Sequence, residues 1–252
     1  MVVCAFLVVL VWLVINPASY DSIFTKTENI GAEEGIEGNS ETNYEDNTNE
    51  EMGGDPDEAS SDGSGAMLAI EVLEKLEVKG RAPKTGYKRE EFYSGWPTVE
   101  GCNLRQKIIK REFGESAVLD GCNVIAGEFD EPYTGEHLKF LSREEISKGI
   151  QIDHVVALSD AWQKGAQYME YEVRNRIATD PLNLLAVDAS ANSKKSDGDA
   201  ATWLPPNKKI RCQYVARQVS VKYKYQIWVT EAEKMAISQV LQNCPKELAI
   251  GV

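Results

Sequence analysis

The sequence predicts a single α+β domain, mainly helical, that begins near residue 66 behind an N-terminal segment of different composition. Three observations predict it: amphipathic helical patterns stand at both ends of this region, two short β-type runs stand in its middle, and the charge excess of the chain falls outside it.

The N-terminus, "MVVCAFLVVLVWLVINPASYD", has no charged side chain before Asp21, and residues 2–15 are continuously apolar. That run is shorter than the roughly 20 residues a helix needs to cross a bilayer. It fits the apolar core of a signal peptide over residues 1–20, with a membrane anchor as the alternative. A positive n-region is missing, and Asn16 rather than a small residue precedes Ala18 by two. Residues 21–65 read as a disordered acidic linker, because 27–65 hold thirteen Asp and Glu, no Lys or Arg, and no apolar repeat. The formal net charge of −13 belongs to this segment. With its thirteen carboxylates set aside, the remaining 27 acidic residues match the 27 Lys and Arg. The folded region is therefore neutral overall, and the acidic pI says little about its partners.

The folded region, 66–252, opens with "AMLAIEVLEKLEV", where Met67, Ile70, Leu73 and Leu76 recur at helical spacing. Near its end, "VTEAEKMAISQVLQNC" places Thr230 three residues before Glu233, a capping-box pattern, with Ile237, Val240, Leu241 and Cys244 on one face. Besides Cys4, the cysteines are Cys102, Cys122, Cys212 and Cys244. An even four in an exported domain suggests two disulfides; of three connectivities, the local pairs 102–122 and 212–244 are favoured. Structural zinc is disfavoured, since no two cysteines form a close knuckle and the chain has two histidines.

In the centre, "QIDHVVALS" reads as a strand through Ile152, Val155, Val156 and Leu158, with Asp153 and His154 inside it. "DAWQKGAQYMEYEVRNRIA" reads as helical. Asp180–Pro181 precedes a second strand, "LNLLAV", which starts beside Asn183; Ser190-Ala191-Asn192 then fits a short helix before Gly198. This order brings a carboxylate, an imidazole and amides toward one point, a set suited to phosphodiester hydrolysis. A hard cation such as Mg2+ takes oxygen ligands and keeps several waters, so one carboxylate and one amide can suffice beside a phosphate. A neutral imidazole can then deprotonate the attacking water.

The stretch resembles the HNH (ββα-metal) nuclease motif. Residues from about 70 to 244 resemble secreted HNH endonuclease-like proteins related to the C-terminal domain of GmrSD-type restriction enzymes. The pieces that carry the resemblance lie in collinear order: "KGRAPKTGYKREEF" (79–92), "GW" (95–96), "GCNLRQKIIKREF" (101–113), "DEPYTG" (130–135), "IDHVVALSDAWQKGA" (152–166), "DPLNLLAVDASANSKKSDGDAATWLPPN" (180–207), "CQYVARQVSVKYKY" (212–225) and "EAEKMAI" (231–237). The resemblance implies a domain built around a ββα-metal motif, with Asp153 and Asn192 as metal ligands and His154 as general base. Asn183 matches the middle Asn that holds the motif's loop and orients the base. Asp in place of the first His, and Asn192 on the helix, favour Mg2+ or Mn2+ over zinc. The long interval between His154 and Asn183 implies an inserted helix.

His137, in "YTGEHLKF", reads as a surface residue; Asp130 and Tyr133, beside the Pro132–Gly135 turn, could shape the site. Between Asn192 and Lys224 stand Lys194, Lys195, Lys208, Lys209, Arg211, Arg217, Lys222 and Lys224, against Asp197 and Asp199. A second cluster, Arg105, Lys107, Lys110 and Arg111, occupies an expected helix. Arg105, Lys194, Lys195, Lys208, Lys209, Arg211 and Lys222 are the expected phosphate contacts to DNA, or to RNA, with little base specificity. The expected activity is metal-dependent endonucleolytic cleavage without a small-molecule cofactor. Its rival is an extracellular nucleic-acid-binding or interaction domain that keeps the fold without turnover.

Overall fold

A computed structural model describes residues 66–252. The signal peptide or anchor expected over 1–20 and the acidic linker over 21–65 lie outside the described residues. The fold is mixed α+β, with more helix than strand, its helices distributed around three small antiparallel sheets. Among the described residues no helix is long and apolar enough to cross a membrane.

Both terminal helices form, but the first is shorter than its apolar spacing suggests, leaving Met67 and Leu76 outside it and Ile70 only partly buried. Helix α1 (Ala69–Lys75) buries Ala69, Val72 and Leu73. A two-stranded ribbon, β1 (Thr98–Val99) with β2 (Cys102–Asn103), leads into α2 (Leu104–Phe113), whose first turn is capped by the Asn103 side chain. Strands β3 (Val118–Asp120), β4 (Asn123–Asp130) and β5 (His137–Phe140) form the second sheet, followed by α3 (Arg143–Gly149). Strand β6 (Ile150–His154) pairs antiparallel with β7 (Leu184–Asp188), in a register that sets His154 opposite Leu184. Between them lie α4 (Leu158–Gln163) and α5 (Tyr171–Thr179). Helix α6 (Ala189–Lys195) follows β7 directly, and α7 (Arg211–Tyr225) and α8 (Glu231–Leu241) complete the domain.

Both disulfides form as the local pairing anticipates. Cys102 joins Cys122, and Cys212 at the start of α7 joins Cys244 beyond α8, with Cα separations of 5.6 and 6.3 Å that suit a disulfide.

Three local expectations change. The strand read through Leu158 stops at His154, because its partner ends there: Asp180 caps a 3-10 turn over Pro181–Asn183 that takes Asn183 out of the ladder. Val155, Val156 and Leu158 are apolar because they are buried, not because they are paired as a strand. The helical stretch read from Asp160 to Ala178 is divided at Gly165. This residue has φ 122°, and a Cβ there would lie 3.1 Å from the Trp228 ring. The capping box of α8 is half formed. Thr230 accepts from the Glu233 amide, but the Glu233 carboxylate turns inward to Lys164 and Lys222.

The core has two parts. Ala69, Leu73, Tyr133, Val155, Val187, Val215, Val219 and Ile237 belong to one. Phe92, Tyr93, Val156, Trp162, Ile177, Leu182 and Val221 belong to the other. The two residues after His154 therefore anchor in different cores.

Candidate active site

Asp153 and His154 are neighbours on β6, so their side chains leave on opposite faces of the pleat. His154 is 5% exposed. Its imidazole stacks on Trp96 at 5.9 Å between centroids and 11° between planes, with Tyr93 5.8 Å away. Nε2 lies 3.0 Å from the Ala178 carbonyl oxygen. A carbonyl only accepts, so Nε2 carries the proton and Nδ1 keeps its lone pair. Burial, reinforced by the charge of Arg89 and opposed by the Ala178 bond, lowers the pKa of His154 to about 3. The ring is a neutral imidazole of fixed tautomer.

Asn183, fully buried, fastens the segment that carries this ring. Its Oδ1 accepts from the Val156 amide at 2.8 Å, and its Nδ2 donates to Ile177 O at 3.0 Å and Val156 O at 3.3 Å. Its own carbonyl accepts from the Val155 amide at 2.8 Å. Arg111 reinforces the same corner by donating to the Pro181 and Leu184 carbonyls at 3.0 and 2.6 Å. Asn183 thus positions the loop after His154 and makes none of these bonds to the imidazole itself.

Asp153 is buried against two donors. Lys195 Nζ donates to Oδ1 at 2.8 Å and to the His154 carbonyl at 2.7 Å, while the Tyr133 hydroxyl donates to Oδ2. Burial raises the Asp153 pKa from the ordinary carboxylate value, although Lys195 and Tyr133 pull it down. Tyr133 is held by the "DEPYTG" turn, where the buried Glu131 carboxylate accepts from the amides of Tyr133 and Thr134 at 3.0 and 2.6 Å.

Asn192, on α6, is half-buried, and its Nδ2 donates to Gln151 Oε1 at 2.9 Å. Asp153, His154 and Asn192 line one cavity of about 430 Å³, together with Arg89, Gln151 and Asp197 among others. Among the described residues no three His, Cys, Asp or Glu side chains group closely enough to hold a metal. The available donors are oxygens. Asn192 has engaged one amide hydrogen and not its Oδ1, and the Asp153 oxygens, which accept from Lys195 and Tyr133, keep lone pairs to spare. Such a set fits a hard cation that retains water and takes further ligands from a phosphate, and does not fit tetrahedral zinc.

The expected phosphate contacts divide. Lys194, Lys208 and Lys209 are exposed, whereas Arg105 and Arg211 are half-buried, donating to Ile150 O at 3.1 Å and Pro205 O at 2.8 Å. Lys195 and Lys222 do not face solvent. Lys195 follows Asn192 by three, so the helical face that turns Asn192 to the cavity turns Lys195 inward onto Asp153. Lys222 is fully buried against Asp160 and Glu233; burial opposes its charge, but these carboxylates outweigh burial and raise its pKa. His137 stays on the surface, with Nδ1 2.8 Å from Asp130. Sequence reasoning missed Lys195 as the counter-ion of Asp153 and the aromatic stack on His154. The signals were present in the Asn192-to-Lys195 spacing and in "YSGW" at 93–96.

Residues 103–240 match the family described as GmrSD restriction endonucleases, C-terminal domain. The chain belongs to that family. A protein of Arthroderma benhamiae, described as an uncharacterized secreted protein, is 34% identical over 183 residues, a stretch covering 71% of this chain and 86% of the relative. No solved structure matches. The match to the GmrSD C-terminal family spans the part of the cavity wall built from β6 through α6, together with α2 and α7, while Tyr87 and Arg89 of the same wall precede it. A nuclease-related function and the expected extracellular location agree with these relationships, as do the two disulfides, which persist in oxidising compartments.

Proposed function

We propose that this protein is a secreted, metal-dependent endonuclease that hydrolyses phosphodiester bonds of DNA, with RNA as the alternative substrate. One observation carries the reading: a neutral imidazole of fixed tautomer, His154, lines the same cavity as the oxygen donors Asp153 and Asn192. The strand–strand–helix order of β6, β7 and α6 supports assigning this cavity to a ββα-metal motif.

A divalent cation, Mg2+ or Mn2+, held by Asp153 and Asn192 would supply Lewis acidity at the phosphate. His154 takes a proton from water at Nδ1, the resulting hydroxide attacks phosphorus, and the P–O3′ bond breaks, the departing 3′-oxygen taking a proton from solvent water. An imidazole this averse to a proton accepts one only as negative charge arrives beside it, and the phosphate brings that charge. Asn183 keeps the ring in place by holding Val155 and Val156. Exposed Lys194, Lys208 and Lys209 attract the polyanion without reading bases.

Supercoiled plasmid incubated with the full chain should relax and fragment with Mg2+ or Mn2+, and EDTA should stop it. A second reading, a domain that binds nucleic acid without turnover, is favoured by the Lys195 ammonium already neutralising Asp153. Retained DNA binding with no nicking under Mg2+, Mn2+ or Zn2+ would select it.

A further inference from the structure

The cavity lined by the metal-ligand candidates also contains a cation that none of these roles uses. Arg89 lines the cavity with His154, and its charge bears on that ring. The guanidinium is exposed but not adrift. Its Nε and Nη2 donate to the Tyr93 hydroxyl at 3.1 and 2.6 Å, and it lies over the Tyr93 ring at 5.3 Å. Tyr93 is itself buried beside His154. Among the described residues no carboxylate forms an ion pair with Arg89, unlike Arg81, Arg111 and Arg174. Two of its five N–H donors are engaged, which leaves three for a ligand.

An unpaired guanidinium with three free donors facing a cavity is badly placed as a purely structural group. It is well placed for an anion. A planar fork of donors matches two phosphate oxygens, and its negative partner would arrive with the substrate. We infer that Arg89 is a phosphate-binding residue, clamping the non-bridging oxygens of a phosphodiester monoanion within reach of His154. This deepens the nuclease reading and rests on it for the location of the reaction, but the anion contact can be tested alone.

The test uses the full chain with two readouts. The first is a titration of dimethyl phosphate followed through the imidazole resonances, where His137 serves as the internal control. Wild-type protein should show a saturable shift at His154 and none at His137. Arg89→Ala should lose the shift, and Arg89→Lys should weaken it at least several-fold, because an ammonium is a point charge and not a fork. The second is cleavage, where Arg89→Ala should lower kcat/KM by about 10²-fold, with binding of Mn2+ unchanged by calorimetry. No shift in wild type, an equal shift in Arg89→Ala, or wild-type kcat/KM in that variant would overturn the inference. An Arg89-dependent shift in a protein that cuts no nucleic acid would sustain the anion site and remove the nuclease reading. Retained Mn2+ binding guards against a misfolded variant. If it is lost, Arg89→Gln replaces Arg89→Ala under the same criteria.

Discussion

Two buried charge clusters lie a short distance apart in the chain, and they are built to opposite ends. In the first, Lys164 reaches Asp160, Asp199 and Glu233 at 2.7, 2.7 and 2.6 Å. Lys222 reaches Glu233 and Asp160 at 2.9 and 3.2 Å, and Arg81 reaches Asp199 and Asp160 at 2.7 and 2.9 Å. Three cations meet three carboxylates, and the pKa of Asp199 falls to about 2 as Lys164 and Arg81 overcome its burial. In the second, Asp153 has one cation, one hydroxyl and a pKa raised by burial, beside a neutral imidazole and an open cavity. The closed cluster spends its charges on itself. The open one keeps lone pairs unspent, and perturbation of that kind beside a cavity marks a candidate site of chemistry.

The comparison can be broken most forcefully at His154. His154→Ala should cut kcat by about 10²–10⁴-fold while the variant still melts cooperatively and binds Mn2+. A variant with wild-type kcat would place the base elsewhere. Next comes the closed cluster. Lys164→Met leaves its carboxylates short of a partner and should cost about 3–5 kcal/mol of stability, with kcat per folded molecule unchanged below the melting range. Denaturant unfolding with parallel plasmid cleavage would measure both, and a selective loss of kcat would show that the closed cluster belongs to the mechanism. The smallest effect is a slope. Between an unfolded value near 6.5 and the folded value of about 3, the unfolded chain binds a proton that buried His154 refuses. Stability from this group is therefore complete above pH 6.5 and declines as pH falls toward 3, by at most about 1.4 kcal/mol per pH unit. Asp153, whose folded pKa is raised, works in the opposite sense. Melting curves from pH 7 to 4 should fall more steeply for wild type than for His154→Gln, and parallel curves would refute a neutral buried imidazole.

Much of the candidate site was legible because its residues sit at consecutive or helical spacings: Asp153 beside His154, Asn183 before β7, and Asn192 on a short helix. The disulfides were legible because the pairs are local. What escaped was set by partners distant in the chain. Lys195 and Lys222 read as surface charge because composition does not say which face of a helix is covered; Asp153 lies 42 residues from Lys195, and Asp160 lies 62 from Lys222. An apolar run such as "VVAL" looks the same whether it is paired as a strand or packed as a loop, so the end of β6 at His154 depended on the 3-10 turn at Asn183. Arg89 stands inside the resemblance segment 79–92, but only the fold, by setting it on Tyr93 beside the imidazole, gives it a role.

The split anchoring of Val155 and Val156 has a consequence for how this protein fails. Their amides are both fastened to Asn183, one side chain lies in each core, and His154 immediately precedes them. A loop-borne catalytic residue ordinarily comes adrift in low-energy local openings, long before the domain melts. Here either core would have to loosen before the imidazole could leave its seat. Catalytic competence and global folding should therefore be lost together on heating, and the two amides should rank among the slowest to exchange their hydrogens.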